Sequence, residues 1–218
     1  GQPESITANL YPNQFNYIKN LNQHLVFDYV NQAWFMTVVS ALVVLMLALV
    51  VYLTYKRRYR AFADFLTGFI AAVPLSLLLI SYFIFSSPML VVSFLVCTTC
   101  ISLLSIFGAR RFKSHLLLFI FLATVASIVL DLVLGLGMLE KSMMSYRIIR
   151  GSRYYGLGNE YMGVFISAVL GYSAIFLNNA NHCYRRLMVI ILFTVTLFVI
   201  VYPLFGIDVG GGITAAIA

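Results

Sequence analysis

The residues with most chemistry to offer gather in one stretch, RIIRGSRYYGLGNEYMGV, from Arg147 to Val164. Arg147, Arg150 and Arg153 recur at every third position and lead into Tyr154, Tyr155, Gly156, Gly158, Asn159 and Glu160. A guanidinium presents a planar fork of donors that matches phosphate or carboxylate oxygens two at a time, so several together suit an anion. Gly156 and Gly158, one residue apart, allow a tight turn and the close approach of another group. Asn159 is suited to cap a helix beginning at Glu160 or Tyr161, and the partially positive end of that helix would then stand beside the arginines. Arg147, Arg150, Arg153, Tyr154, Tyr155, Gly156, Gly158 and Asn159 are therefore the candidate anion-binding residues, with phosphate the anion that a helix terminus best suits.

Three carboxylates could orient those arginines or act as a base: Glu160, Asp208 and Asp131. Near the chain end, YPLFGIDVGGGITAAIA repeats the arrangement, with Pro203 and Gly206 to stop one helix, Asp208 to cap the next, and Gly210, Gly211 and Gly212 leading into it. Asp131 falls inside an apolar run, VLDLVLGLGM, about two turns from its end, where a carboxylate costs at least about 3 kcal/mol unless it is paired or wet. It serves either function, alone or paired with an arginine, or a tie between helices. Cys97 and Cys100 form a C-x-x-C without a second pair or a nearby His, and read as small packing residues. No zinc-protease, P-loop, Ser/His/Asp or dinucleotide pattern occurs, and neither metal nor cofactor is expected.

The elements that must position these residues are transmembrane helices. Of 218 residues, 62% are hydrophobic and 10% charged, with a mean hydropathy of +0.97, against roughly 25% charged in soluble domains. Apolar runs at about 34–55, 64–85, 89–108, 116–138, 161–177 and 187–206 approach or exceed the roughly 20 residues that a helix needs to cross the hydrocarbon core. An open sheet in lipid would leave backbone groups unpaired, so the expected fold is all-α: a polytopic bundle of six spans plus the start of a seventh at 209–218. Residues 1–31 form an outer segment whose apolar positions Phe15, Ile18, Leu21, Leu25 and Tyr29 make a helical stripe, expected to lie on the interface before the chain turns into the first span. The absence of an initiator Met and the short final run lead us to expect a piece of a longer chain.

Basic residues orient the bundle. Lys56, Arg57, Arg58 and Arg60 follow the first span, Arg110, Arg111 and Lys113 the third, and Arg185 and Arg186 the fifth, so these three turns share one side, expected to be cytoplasmic. The N-terminal segment is then external. The overall charge of +7 mostly records this orientation, and KRRYR reads as a topogenic stop touching anionic headgroups; no nucleic-acid role is needed. One connection, 139–160, is external by this count yet carries Lys141, Arg147, Arg150 and Arg153. Outer arginines can simply meet lipid phosphates, tyrosines gather at interfaces and glycines ease helix packing. The constellation is read as a binding site because its basic residues oppose the insertion bias while its polar groups share one face.

GSRYYGLGNEYMGV together with GIDVGGGITAA resembles a family of uncharacterised bacterial polytopic membrane proteins that carry close variants of both motifs. The resemblance covers roughly residues 120–218 in motif and the rest in hydropathy only. It implies a bacterial plasma (inner) membrane location and an extracytoplasmic domain of the same chain similar to the alkaline-phosphatase superfamily. Arg153, Gly156, Gly158 and Asn159 also resemble the Arg, Gly and Asn turn that opens a membrane helix in O-antigen ligases and polymerases, which handle lipid-pyrophosphate-linked glycans. Those enzymes also use a large external loop with further arginines and a histidine; here there is no large loop and no external histidine after His24.

Partners on this reading are the lipid bilayer and an anionic or lipid-linked substrate used in cell-envelope processing. Two other readings stand beside it. A secondary transporter or channel would use Asp131 and the glycine-rich helix breaks, but would need polar residues that continue across the bilayer. An anchor or assembly partner would need none of the motif residues.

Overall fold

The computed structural model describes residues 11–57, 59–81, 83, 87–112, 115–145, 158–178 and 183–201. They form seven helices, α1 (Tyr11–Lys56), α2 (Arg60–Ile80), α3 (Ser87–Phe112), α4 (Leu116–Leu134), α5 (Met138–Lys141), α6 (Asn159–Asn178) and α7 (Cys183–Val201), and no strand occurs among the described residues. Five helices are long and apolar enough to cross a membrane: Tyr29–Lys56 of α1, α2, Pro88–Phe112 of α3, α4 and Glu160–Leu177 of α6. The apolar stretch Arg186–Ile200 of α7 is shorter than these, and the expected seventh helix lies outside the described residues. Large apolar side chains point outward along the spans, among them Val44, Leu45 and Val51 of α1, Leu104 and Phe107 of α3, and Val133 of α4. Apolar surface of that extent is rare on soluble monomers, and it is what a lipid-facing flank requires. The chain is an integral, multi-pass membrane protein.

Only three residues separate α1 from α2 and α3 from α4, too few for the helices they join to run other than antiparallel. Lys56, Arg57, Arg60, Arg110 and Arg111 therefore gather at one end of the bundle, as the charge pattern requires, and the 135–158 connection leaves from the other. α2 is the hub. It packs on α1, α3 and α4, and 61% of its span is buried, against 28% for α3, α4 and α6 and 11% for α1. On one flank Phe35 of α1 stands edge-on to Phe94 of α3, whose ring meets Phe69 of α2, with Val73, Leu77 and Leu90 filling between. On the other, Tyr161, Phe165 and Val169 of α6 pack with Val125 and Ile128 of α4 and Val199 and Ile200 of α7.

Lipid is as apolar as these side chains, so hydroxyls and close backbone approaches add what burial alone cannot. Thr98 donates to Ser76 Oγ at 2.8 Å, Ser102 to the Phe65 carbonyl at 3.0 Å and Ser105 to the Leu116 carbonyl at 2.5 Å, which joins α3 to α2 and α4. Gly68 lets Ser102 in: a Cβ there would stand 2.7 Å from the serine Oγ. Gly171 likewise seats the Phe121 ring of α4 against α6, where a Cβ would overlap it. Gly171→Leu should therefore lower stability by about 1–3 kcal/mol through overpacking, read as a lower melting temperature in detergent. Gly163→Ala, on the same helix but with nothing within 4 Å of an added Cβ, should not lower the melting temperature.

α1 is a single helix of 46 residues, so no turn separates the expected interfacial segment from the first span. Nothing in it could make one: Pro12 sits in the first turn, where it is tolerated, and no glycine follows before Lys56. Gln32 marks where α1 passes the end of the bundle, donating to the Met143 carbonyl at 2.8 Å and more weakly to Ser145. Trp34, half-exposed beside it, donates to Asn31 Oδ1 at 3.0 Å, a placement typical of the membrane interface. The helix before Gln32 extends by about 30 Å at 1.5 Å per residue.

Candidate functional site

The end of the bundle opposite the basic turns is closed by residues 138–145, and Asp131 organises that closure. α4 stops at Gly135, whose positive φ of 63° suits glycine and lets the chain fold back over the helix end. Asp131 then accepts from the Met138 N–H at 2.8 Å and the Leu139 N–H at 3.0 Å, filling the capping role for α5 from a distance in sequence. Its carboxylate is buried, and both oxygens are engaged by backbone donors. This is the geometry of a structural tie. Ser81 of α2 donates to the Met138 carbonyl at 2.9 Å, and Ser142 joins the Leu77 carbonyl at 3.3 Å and the Tyr161 hydroxyl at 2.6 Å. Helices α1, α2, α4 and α6 thus all hold one short segment, and the 146–157 stretch departs from it.

α6 begins directly after that stretch. Gly158 accepts from the Met162 N–H at 2.9 Å to close the first turn. Asn159 stands first in the helix and Glu160 second. Tyr161 turns inward and is almost fully buried, its hydroxyl within 3.4 Å of the Pro74 carbonyl of α2 as well as bonded to Ser142. That anchor sets the rotation of α6, and Glu160 falls beside a groove of about 390 Å³ between α2, α4 and α6. Its walls are Ile70, Ala71 and Pro74 of α2, Phe121 and Thr124 of α4, and Gly163, Val164, Ser167 and Ala168 of α6.

The groove is apolar with a few polar points. Pro74 has no N–H to give the Ile70 carbonyl, so α2 leaves an acceptor on this wall. The hydroxyls of Thr124 and Ser167 donate to Ile120 and Gly163 of their own helices, which leaves oxygen lone pairs for a guest. Glu160 Oε2 is buried and has no hydrogen-bond partner among the described residues. Leaving a carboxylate oxygen unmet in a dry site costs more than an ordinary lost hydrogen bond, so this atom marks where a donor belongs. Gly163 keeps the wall open, since an added Cβ there meets nothing within 4 Å.

Electrostatics assign the parts. Glu160 already offsets the partial positive charge of the α6 terminus, so that terminus by itself is a weaker anion trap than its position implies. Two like charges about 8 Å apart repel by about 2 kcal/mol at an effective dielectric of 20. A phosphate held here would depend on cationic side chains, with Glu160 facing a hydroxyl or other donor of the same guest.

Of the residues singled out from sequence, the structure brings Gly158, Asn159 and Glu160 together at the head of α6 and ties Asp131 into the closure nearby. Arg147, Arg150, Arg153, Tyr154, Tyr155, Gly156 and Asp208 lie outside the described residues. Cys97 and Cys100 are both in α3, unbonded. Sequence reasoning missed Tyr161, Ser142 and the groove residues Pro74, Gly163 and Ser167. Only the Gly163 and Ser167 spacing, one helical turn apart and in phase with Glu160, offered a signal. Comparison of the chain with family models, curated proteins and solved structures finds no match.

Proposed function

We propose that this integral membrane protein binds a phosphate-bearing, lipid-linked substrate of the bacterial cell envelope on its external face. The observation that carries the reading is Glu160, which lines an apolar groove and has a buried oxygen without a hydrogen-bond partner among the described residues, seven residues after the last of three arginines. The groove, within the usual range of roughly 300–1,000 Å³ for ligand sites, takes the first units of the hydrocarbon chain. Arg147, Arg150 and Arg153 hold the phosphate, Tyr154, Tyr155, Gly156, Gly158 and Asn159 shape its pocket, and Glu160 accepts a hydrogen bond from the substrate or takes its proton. The bundle then serves a larger envelope-processing protein in the inner membrane, with an extracytoplasmic domain of the same chain above this face.

The test is binding of a polyprenyl phosphate to the protein in lipid nanodiscs. Saturable binding is expected, tighter than that of the unphosphorylated polyprenol or of inorganic phosphate. Gly163→Leu, which grows a side chain into the groove from a position where an added Cβ meets nothing within 4 Å, should weaken it about tenfold, the cost of about 1.4 kcal/mol of lost apolar contact. Equal affinity for polyprenol and polyprenyl phosphate would remove the phosphate from the proposal, and indifference to Gly163→Leu would remove the groove.

A further inference from the structure

The basic end of the bundle holds a second cavity, of about 430 Å³, that no part of the proposed function uses. Three elements build it: Asp64 and Thr67 from α2, Ala109 and Arg110 from α3, and His115 and Leu116 where α4 begins. Asp64, Arg110 and His115 are exposed, and Asp64 makes no ion pair or hydrogen bond among the described residues although Arg110 lines the same space. The opposite charges stand on separate walls with the cavity between them.

Each polar group has a readable role. His115 caps α4, its Nδ1 accepting from the Leu117 N–H at 3.3 Å, so the ring proton resides on Nε2 and that nitrogen is a donor. Arg110 adds a guanidinium fork, suited to phosphate. Thr67 donates to the Ala63 carbonyl at 2.8 Å and keeps its lone pairs as acceptors. The donors therefore lie on α3 and at the start of α4, and the acceptors on α2. Ala61, Ile106 and Ala109 complete an apolar floor. Among the described residues, one guanidinium, one imidazole and one carboxylate line the cavity.

We infer that this cavity holds the headgroup of a phospholipid bearing a primary ammonium, with its phosphodiester at Arg110 and His115 and its ammonium at Asp64 and Thr67. A zwitterion offers a partner to each of the two opposite charges on the walls, whereas an anionic headgroup brings no cation to Asp64. The cavity lies at the helix ends, the depth at which lipid phosphates sit, and a recess between spans there is open to headgroups. A soluble phosphoamine has the same chemistry, but the apolar floor continuing into the lipid-facing helices favours the lipid. The inference does not rest on the proposed function, since the two sites lie at opposite ends of the bundle.

The experiment is native mass spectrometry of the full chain released from micelles containing phosphatidylethanolamine, phosphatidylcholine or phosphatidylglycerol. Phosphatidylcholine keeps the phosphate but replaces the ammonium hydrogens by methyl groups. Retention of phosphatidylethanolamine should exceed that of phosphatidylcholine by roughly tenfold, the worth of one charge-assisted hydrogen bond. Asp64→Asn should erase that preference, and Arg110→Gln should weaken retention of all three lipids. Arg186→Gln, at the same end but outside the cavity, should change nothing. Both lining residues are exposed, so the fold tolerates their substitution, and melting temperatures read in parallel confirm it. Equal retention of phosphatidylethanolamine and phosphatidylcholine, or a preference that survives Asp64→Asn, would overturn the inference. Displacement of the lipid by O-phosphoethanolamine at equal concentration would overturn its assignment to a lipid.

Discussion

Converting Arg147, Arg150 and Arg153 together to glutamine should weaken polyprenyl phosphate binding by at least about a hundredfold while the protein still inserts and folds. Hundredfold corresponds to about 2.7 kcal/mol. Each hydrogen bond to a charged group contributes about 1.5–3 kcal/mol, so three arginines acting independently would contribute more than that. Neighbouring charges on one ligand do not add fully, which is why the lower figure is the expected floor. The proper control is Arg186→Gln at the opposite end of the bundle, which removes a positive charge without approaching the groove and should leave affinity as it was. Nanodisc titrations of both variants decide the matter. If the triple variant binds like the wild type, the arginines meet only bulk lipid headgroups, and the external site is lost as an idea. Salt dependence gives a second reading, since binding of a phosphate by arginines should weaken as ionic strength rises.

Asp131→Ala should be the most damaging single change to the end of the bundle that carries the groove. It leaves the Met138 and Leu139 N–H groups without their acceptor, at about 1–3 kcal/mol each, so about 2–6 kcal/mol in all. Asp131→Asn should cost less, because the amide oxygen still accepts one of the two bonds. The order wild type, Asn, Ala in melting temperature is the expected result, with hydrogen exchange at 138–145 rising in the same order. Because Ser142 both touches α2 and holds the Tyr161 hydroxyl, loosening this segment should also release α6 and weaken polyprenyl phosphate binding. A variant with alanine at 131 and unchanged exchange at 138–145 would show that the carboxylate is not what holds the closure.

Asp131 also shows where sequence reading stops. A carboxylate inside an apolar run demands a partner, and that much follows from desolvation alone. Which partner depends on where the chain returns after Gly135, and the answer, two backbone N–H groups seven and eight residues on, carries no signature in residue type. Glu160 is the converse. Its place at the head of a helix was legible from Gly158 and Asn159, yet the groove beside it was not, because α2 and α4 supply half of its wall from far away in the chain.

The first helix makes a similar point. Hydropathy marks where α1 becomes apolar, and the interfacial stripe before it was visible, but a change of solvent does not require a change of backbone. With no glycine or later proline to break it, the helix continues through the boundary.

By itself the sequence determined that this is a helical membrane protein, where its apolar spans lie, which turns share an end, and that polarity concentrates between residues 147 and 160. Those properties follow from local composition and from the cost of burying charge and open backbone in lipid. Only the tertiary structure decided that α2 is the hub, that Asp131 ties the closure, and that Glu160, with one oxygen unmet among the described residues, lines a groove between three helices. Each of these depends on the rotation and depth of one helix against another, which in lipid is set by a few hydroxyls, glycines and aromatic rings rather than by an amphipathic pattern.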